Sequence, residues 1–595
     1  MAHFLPITLD EVKRLGWNVV DVVLVTGDAY IDHPSFGTAV IGRTLERAGY
    51  RVAVLPQPNW RDDLRDFRKF GRPRLFFGVT AGAMDSMVNH YTAARRLRHD
   101  DAYTPGGVAG FRPDYASYVY SRILKSLFPD VPVVLAGIEA SMRRLAHYDY
   151  WSDRVKPSIV ADTPADLLNY GMGERTTLKI AELLDKGATL YDLHNLPQVV
   201  YVSNEMPEKN DETIFLHSYE ECLKEKKCEA ENYRIIERES NKIKCAKLVQ
   251  KHGDMFVVVN CPEPPMTTAE IDASFDLPYT RLPHPKYKKR GKIPAYEMIK
   301  NSINIHRGCF GGCSFCTISA HQGKQIASRS ERSIMNEVRQ LVSSEDFNGV
   351  ITDLGGPSAN MYGMEGRDKS KCTSCARYSC IHPSICPNLK NDHSRLIDLY
   401  RKVSRIEGVK HVYIGSGIRY DLFTNENNGW NYFREVIRNH VSGRLKVAPE
   451  HTSAEVLMAM RKPSFDLFEK VKHTFDEVCR KEGLRYQLIP YFISSHPGCT
   501  LKDMADLALK MKKMGYRLEQ IQDFTPTPMT LSTEMYYTGY NPATMKPLYV
   551  ARRQEDKKEQ NNMFFFYKKD LQPTIRQSLK KARLSGFSEK LFGNK

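Results

Sequence analysis

The sequence predicts an α/β protein, with an N-terminal Rossmann-like parallel-sheet domain followed by a partial (β/α) barrel. Three observations point there. Short β-branched runs alternate with amphipathic stretches through residues 1–190, and the same alternation returns through 296–540. The chain of 595 residues is also longer than one hydrophobic core accommodates.

In the first segment, "DVVLVTGDAY" (21–30), "YRVAVLP" (50–56), "RLFFGVTAGA" (74–83) and "VPVVLAGIEAS" (131–141) read as strands. "GTAVIGRTLERAG" (37–49) reads as a helix between two of them. Ligands of such sheets sit beyond the carboxyl ends of the strands, where Gly27–Asp28, Gly82 and Gly137 fall. Residues 191–295 are more charged and weakly periodic, and predict a mixed helical insertion and linker. Within it, 209–253 reads as helix and 278–297 as an extended linker. Cys222, Cys228 and Cys245 have no ligand spacing and read as ordinary thiols.

The second alternating segment, 296–540, places strands at 302–308, 349–356, 411–418, 444–451, 488–495 and 518–526. Helices separate them, for example at 333–342 and 500–515, and a cysteine-rich loop spans 365–390. Chemistry in such a barrel belongs at the C-terminal ends of its strands. Residues 541–595 read as a basic tail, expected to be dispensable for the core.

Composition narrows the class. With 42% hydrophobic and 26% charged residues the chain reads as an ordinary globular protein. No run is long enough to span a bilayer and the start lacks a secretory pattern, so a cytoplasmic location without membrane association is expected. Thirteen cysteines, mostly in short clusters, point to metal binding in a reducing compartment rather than to disulfides. The net charge is +16, and thirteen Lys/Arg against five Asp/Glu fall in the last fifty residues. That tail fits either nucleic-acid binding or a solvated surface.

The densest signal is "CFGGCSFC" (309–316), directly after the first barrel strand. Cys309, Cys313 and Cys316 supply three thiolates, the donors iron–sulfur clusters use. Three thiolates on a 4Fe-4S cubane leave one iron open, whereas a structural site is closed. The competing reading is a zinc site completed by His306 or His321. Further on, "CTSCARYSCIHPSIC" adds Cys372, Cys375, Cys380 and Cys386, enough for a second iron–sulfur cluster or for zinc. In "KVAPEH", alternation puts Lys446 and Glu450 on one strand face, as a candidate catalytic pair or a structural ion pair. No His-Glu-x-x-His pattern supports a zinc hydrolase.

The spacing Cys-x3-Cys-x2-Cys after a first barrel strand resembles the signature of the radical S-adenosylmethionine enzymes. The resemblance implies that Gly355 and Gly356, in "DLGGPSANMYGM", lie against the methionine amino group. Pro357 stands where the acidic residue of that pattern is usual. It also implies reductive cleavage of S-adenosylmethionine to a 5′-deoxyadenosyl radical, fed by an external electron donor of flavodoxin or ferredoxin type. "EVLMAMRKPSFDLFEKV" (455–471) and "FTPTPMTLSTEMY" (524–536) resemble segments of radical methylthiotransferases, so methyl or methylthio transfer stays open.

The whole chain resembles the YgiQ family of radical S-adenosylmethionine proteins, through "GDAYIDHPSFGTAVIGR", "GVTAGAMDSMVNHYTA", "GIEASMRRLAHYDYWSD", "LNYGMGERT", "INIHRGCFGGCSFC" and "ICPNLKNDHS". The N-terminal sheet is similar to the cobalamin-binding domains that precede radical cores, with "YGMGE" as the connection. In "DHPSFG" (32–37) the His follows the Asp directly, unlike the DxHxxG pattern, so a cofactor-free sheet is favoured over bound cobalamin. The resemblance supplies no substrate, and RNA, protein and small molecules all stay open. The alternative class is a nucleic-acid-associated binding protein with structural metal clusters and a basic tail.

Overall fold

The computed structural model describes residues 3–424, 426 and 428–593, so Asn594 and Lys595 of the expected tail lie outside the described residues. Nine strands form one sheet, in the order Val52–Pro56, Val22–Thr26, Phe76–Thr80, Val133–Leu135, Leu167–Asn169, Val199–Ser203, Met255–Val259, Lys247–His252 and Thr213–Phe215. The first five are parallel, with Val22 opposite both Val52 and Phe76. Successive side chains face opposite layers: Val23, Val25, Phe77 and Val79 pack with the helix Ala116–Leu127. Val22, Leu24 and Phe76 pack with the helix Gly37–Arg47 on the other face. Burial on both faces is what makes these strands continuous apolar runs.

The sheet does not stop near residue 190. Val199–Ser203 turns antiparallel to Leu167–Asn169, and a hairpin of Lys247–His252 with Met255–Val259 extends it further. The helix expected over 209–253 is confined to Tyr219–Lys224 and Lys226–Ser240. Charged residues such as Lys247 and Lys251 hid the hairpin, although Val257, Val258 and Val259 fill the sheet core. The expected linker also has fixed contacts: the Tyr287 hydroxyl accepts from the Tyr30 amide at 3.0 Å, and the Thr280 amide donates to Asp32 at 2.8 Å.

The second half builds an arc of short parallel strands. Ser302–Asn304 pairs with Asp353–Gly355, and Val350–Ile351 with His411–Val412. Arg444–Glu450, Gln487–Ser494 and Gln520–Asp523 pair in turn. Helices cover the outside; at the start of Leu501–Lys513, Thr500 and Asp503 form a reciprocal capping box. Ile303, Leu354, Leu445 and Phe492 of the strands share one core with Val338, Phe433, Phe475 and Leu507 of the helices. Tyr148 and Tyr150, from the N-terminal half, enter the same core.

The expected tail is part of that core. Residues beyond 541 form the helices Gln554–Asn562, Gln572–Lys581 and Ser585–Phe592. Met563, Phe564, Ile575 and Leu579 are fully buried against the barrel helices. Lys557 is buried too, and its ammonium donates to the Tyr150 and Tyr536 hydroxyls at 3.0 and 3.1 Å. The surface charge of this segment masked a thin apolar stripe at helical spacing. No described helix is long and apolar enough to cross a membrane.

Removal of residues from 545 onward is therefore expected to leave an insoluble or partly unfolded chain, against the dispensable tail that charge suggested. Leu579→Ala should cost about 2–5 kcal/mol in urea denaturation, as a cavity in a closed core does. A soluble truncated chain with unchanged stability would refute this packing.

Candidate active site

The segment Gly308–Phe315 carries almost no regular structure, so other segments must hold it. The Cys309 amide donates to the Gly323 carbonyl at 3.1 Å and the Ser314 amide to Met460 at 3.1 Å. The Ser532 amide reaches the Ser314 carbonyl at 2.9 Å, and the Cys380 amide reaches Phe310 at 3.1 Å. Under the loop, buried His496 lies 2.6 Å from the Ser532 hydroxyl, which donates to the Ser314 hydroxyl at 2.8 Å. At Gly312, with φ of 64°, a Cβ would lie 2.4 Å from the Tyr378 carbonyl oxygen, so only glycine lets the two loops touch.

Cys309, Cys313 and Cys316 are half-buried and share this loop. Arg419, from the loop after the third barrel strand, donates to Cys313 Sγ at 2.9 Å and pairs with Asp421. Burial pushes the Cys309 thiol up and Cys316 up to about 12, with the neighbouring thiols adding to the effect on both and Arg419 opposing it. Such thiols ionise when a cationic group arrives to compensate them, so the donor set fits a metal cluster. Among the described residues, no three His, Cys, Asp or Glu side chains converge on one point as a single ion requires. A cubane presents separate irons to separate thiolates and needs no such convergence. His306 is engaged elsewhere, bonding the Ser358 carbonyl at 2.8 Å.

The glycine pair ends the second barrel strand beside this site. A Cβ on Gly356 would strike the His306 ring at 2.6 Å, and one on Gly355 the Ser416 hydroxyl at 2.8 Å. Asp353 holds the opposing loop through the Gly415 and Ser416 amides, at 2.9 and 3.1 Å.

Lys446 and Glu450 do not form the expected pair. Val447 is opposite Pro490 but Glu450 is opposite Phe492, so a bulge adds one residue and turns Glu450 to the other face. Lys446 is exposed, while Glu450 is buried 3.5 Å from Lys462. Glu450 and Ser495, at the ends of adjacent strands, hold φ of 66° and 60°. Left-handed backbone at two neighbouring non-glycine positions is strain of the kind found at ligand sites.

The second cysteine set lies on the loop that packs over the first. Burial pushes Cys380 up to about 11; Lys324 opposes this, and Cys386, Cys375 and Cys372 all add to it, so the four thiols are within electrostatic reach of one another. Cys380 and Cys386 also share an apolar cluster with Cys309, Phe310 and Met361. Lys324 is buried beside them and donates to the Arg377 carbonyl at 2.7 Å.

In the N-terminal sheet, the crevice between the first and third strands is filled by the chain itself. Arg112 donates to Asp28 at 2.8 Å and to the Ala81 carbonyl at 3.0 Å, and pairs with Asp101 at 3.4 Å. In "DHPSFG", Asp32 pairs with buried Arg43 and His33 accepts from the Ser35 amide at 3.1 Å. The two halves of the molecule meet through "YGMGE": Glu174 forms a buried ion pair with Arg307, two residues before Cys309. Arg419, His496, Ser314 and Ser532 went unread in the sequence. Of these only Arg419 carried a signal, as a charge following the glycine-rich strand end "GSG".

Residues 4–302 match the family model described as "Radical SAM N-terminal", and residues 519–593 match a domain of unknown function, DUF3362. Fold and match together define a protein of the radical S-adenosylmethionine class. The chain belongs to the UPF0313 family: it is 56% identical to a UPF0313 protein of Bacteroides thetaiotaomicron, over 100% of this chain and 99% of the relative. It is also 44% identical to UPF0313 protein YgiQ of Salmonella typhimurium, over 91% of this chain and 82% of that one. Among solved structures it is similar to the radical S-adenosylmethionine methyltransferase TsrM from Kitasatospora setae. That similarity has a TM-score of 0.47 and 14% identity, covering 86% of this chain and 75% of TsrM.

Burial would push the Glu174 carboxyl up, but Arg307 holds it below its ordinary value of 4.5. Its contribution is thus complete above that value and fades as pH falls through the lowered one. Glu174→Gln should cost about 3–5 kcal/mol at neutral pH, by stranding Arg307. That deficit should shrink in acid, where the wild-type carboxyl protonates. Urea denaturation at both pH values checks this, and a pH-independent deficit would contradict it.

Proposed function

We propose that this protein is a radical S-adenosylmethionine enzyme, in which Cys309, Cys313 and Cys316 hold a 4Fe-4S cluster. The observation that carries the reading is the three-thiol loop at the end of the first barrel strand, clamped by Arg419 and set beside the Gly355–Gly356 backbone. When bound, the cluster and S-adenosylmethionine would supply a 5′-deoxyadenosyl radical for hydrogen abstraction. The chain's own share is positional. Gly355 and Gly356 let His306 and Ser416 close onto the strand end that would face the methionine end of the cofactor, and Asp353 fixes the loop opposite. Lys446 stands on the strand face opposite Leu445 and Val447, free to meet a ligand.

Cys372, Cys375, Cys380 and Cys386 are proposed to hold a second iron–sulfur cluster. Zinc fits less well, because no three described His, Cys, Asp or Glu side chains converge on one point. An electron donor of flavodoxin or ferredoxin type and a cytoplasmic setting complete the proposal. Methyl or methylthio transfer stands as the reaction class to test, with RNA, protein and small molecules as the substrates to assay. The nucleic-acid-module alternative relied on a free basic arm, and the helices after Arg553 are packed into the barrel instead.

Anaerobic reconstitution should load about four irons per chain, or about eight with the second set filled. Reduced protein should release 5′-deoxyadenosine from S-adenosylmethionine, and alanine at Cys309, Cys313 and Cys316 together should abolish it. Cleavage surviving that triple change would sink the proposal. Arg419→Met should keep the iron but make the cluster harder to reduce, since a hydrogen bond to a ligating sulfur is lost. A redox titration followed by electron paramagnetic resonance reads this, and an unmoved potential would remove Arg419 from the site. Hydroxocobalamin retained through desalting would add a corrinoid to the proposal. It would have to use space other than the crevice that Arg112 fills.

A further inference from the structure

A cleft of about 140 Å³ opens between the N-terminal sheet and the helix that follows Cys316. Arg144, Tyr170, Arg175 and His321 line it on the polar side, with Pro262, Pro265 and Met266 among its apolar walls. A narrower cleft shares Arg144, Ser240 and Ser319 with it and runs on to Cys313 and Cys316. Arg144, Ser240 and Ser319 therefore stand between the interdomain space and the cysteine loop, on the direct path from one to the other.

Arg144 is the anomaly in this path. It is 3% exposed, and no carboxylate lies within ion-pair distance among the described residues. Every other buried arginine among the described residues has one: Arg43 with Asp32, Arg112 with Asp28, Arg143 with Asp85, Arg307 with Glu174, Arg329 with Glu337 and Arg461 with Glu237. Arg144 donates to the Ser141 carbonyl at 2.8 Å and to the Ser240 hydroxyl at 3.5 Å, and lies 4.9 Å over the Tyr170 ring. The acids of the cleft are engaged by other cations: Glu239 by Lys242 and Arg238, Glu263 by Arg175. A buried guanidinium without an anion is costly, and evolution of the site tolerates that cost where a ligand supplies the anion. Beside it, His321 Nδ1 is buried with no hydrogen-bond partner.

We propose that Arg144 anchors the carboxylate or phosphate of a small organic substrate in this cleft, its other end directed toward Cys313 and Cys316. Calling the ligand a substrate rests on the radical reading; the anion site stands without it. The guanidinium would hold the anion through its planar fork, while Tyr170 and the proline walls accept an apolar flank.

The test is thermal denaturation of the full chain with inorganic phosphate or succinate, against sodium chloride at matched ionic strength. The expected result is a rise of about 1 °C for each tenfold increase in anion above its Kd. Whichever anion acts identifies the ligand's charged end. Arg144→Met should melt at or above the wild type without anion, having lost an uncompensated charge, and should show no anion-dependent rise. Arg144→Lys should recover part of it. The triple alanine variant at Cys309, Cys313 and Cys316 should still respond, which separates this site from the cluster. Equal rises in wild type and Arg144→Met would show a general salt effect and overturn the proposal. So would no rise in the wild type, or an Arg144→Met protein that melts well below it.

Discussion

A loop that must present three thiols to a bulky group cannot be helix or strand, and so cannot satisfy its own backbone. In this molecule the consequence is visible at every turn of Gly308–Phe315. Its amides and carbonyls are met by Gly323, Met460, Ser532 and Cys380, which come from the end of the next helix, the helices Ala454–Met460 and Leu531–Thr538, and the loop after the second barrel strand. The cysteine geometry is therefore a property of the assembled fold. His496, buried under the loop, extends this support to the end of the fifth strand of the arc.

The same dependence explains why the two halves are joined where they are. Glu174 meets Arg307 just before the cysteines, and the carbonyl of His321 lies 3.2 Å from where a side chain on Gly171 would begin. The end of the fifth strand of the N-terminal sheet thus presses on both flanks of the cysteine loop. A buried ion pair contributes modest net stability but punishes misalignment, because either partner alone is left charged in an apolar setting. Register between the halves is what such a pair secures.

The parallel sheet and the arc of strands were legible because buried parallel strands read as apolar runs. The three cysteines and the glycine pair were legible because their spacing is local. Four features were hidden, each for a physical reason. The hairpin at 247–259 mixes lysines with its valines, so its period is blurred. The C-terminal helices bury a narrow stripe beneath many charges, and composition reports the charges. Lys446 and Glu450 are parted by one extra residue, which alternation along a strand has no means of showing. Arg419 and His496 lie more than a hundred residues from the cysteines they serve, beyond the reach of any motif.

The burial of the last helices has a bearing on how the molecule comes into being. Leu591 packs in the barrel core, so that core cannot close until residue 591 has been made. Ser532, which caps the cysteine loop from outside, emerges only shortly before. For most of synthesis the thiols wait on a loop whose supports are still missing. The window in which they are most accessible to an assembly machinery therefore closes when the last core helices dock, and completion of the core and sealing of the site become one event.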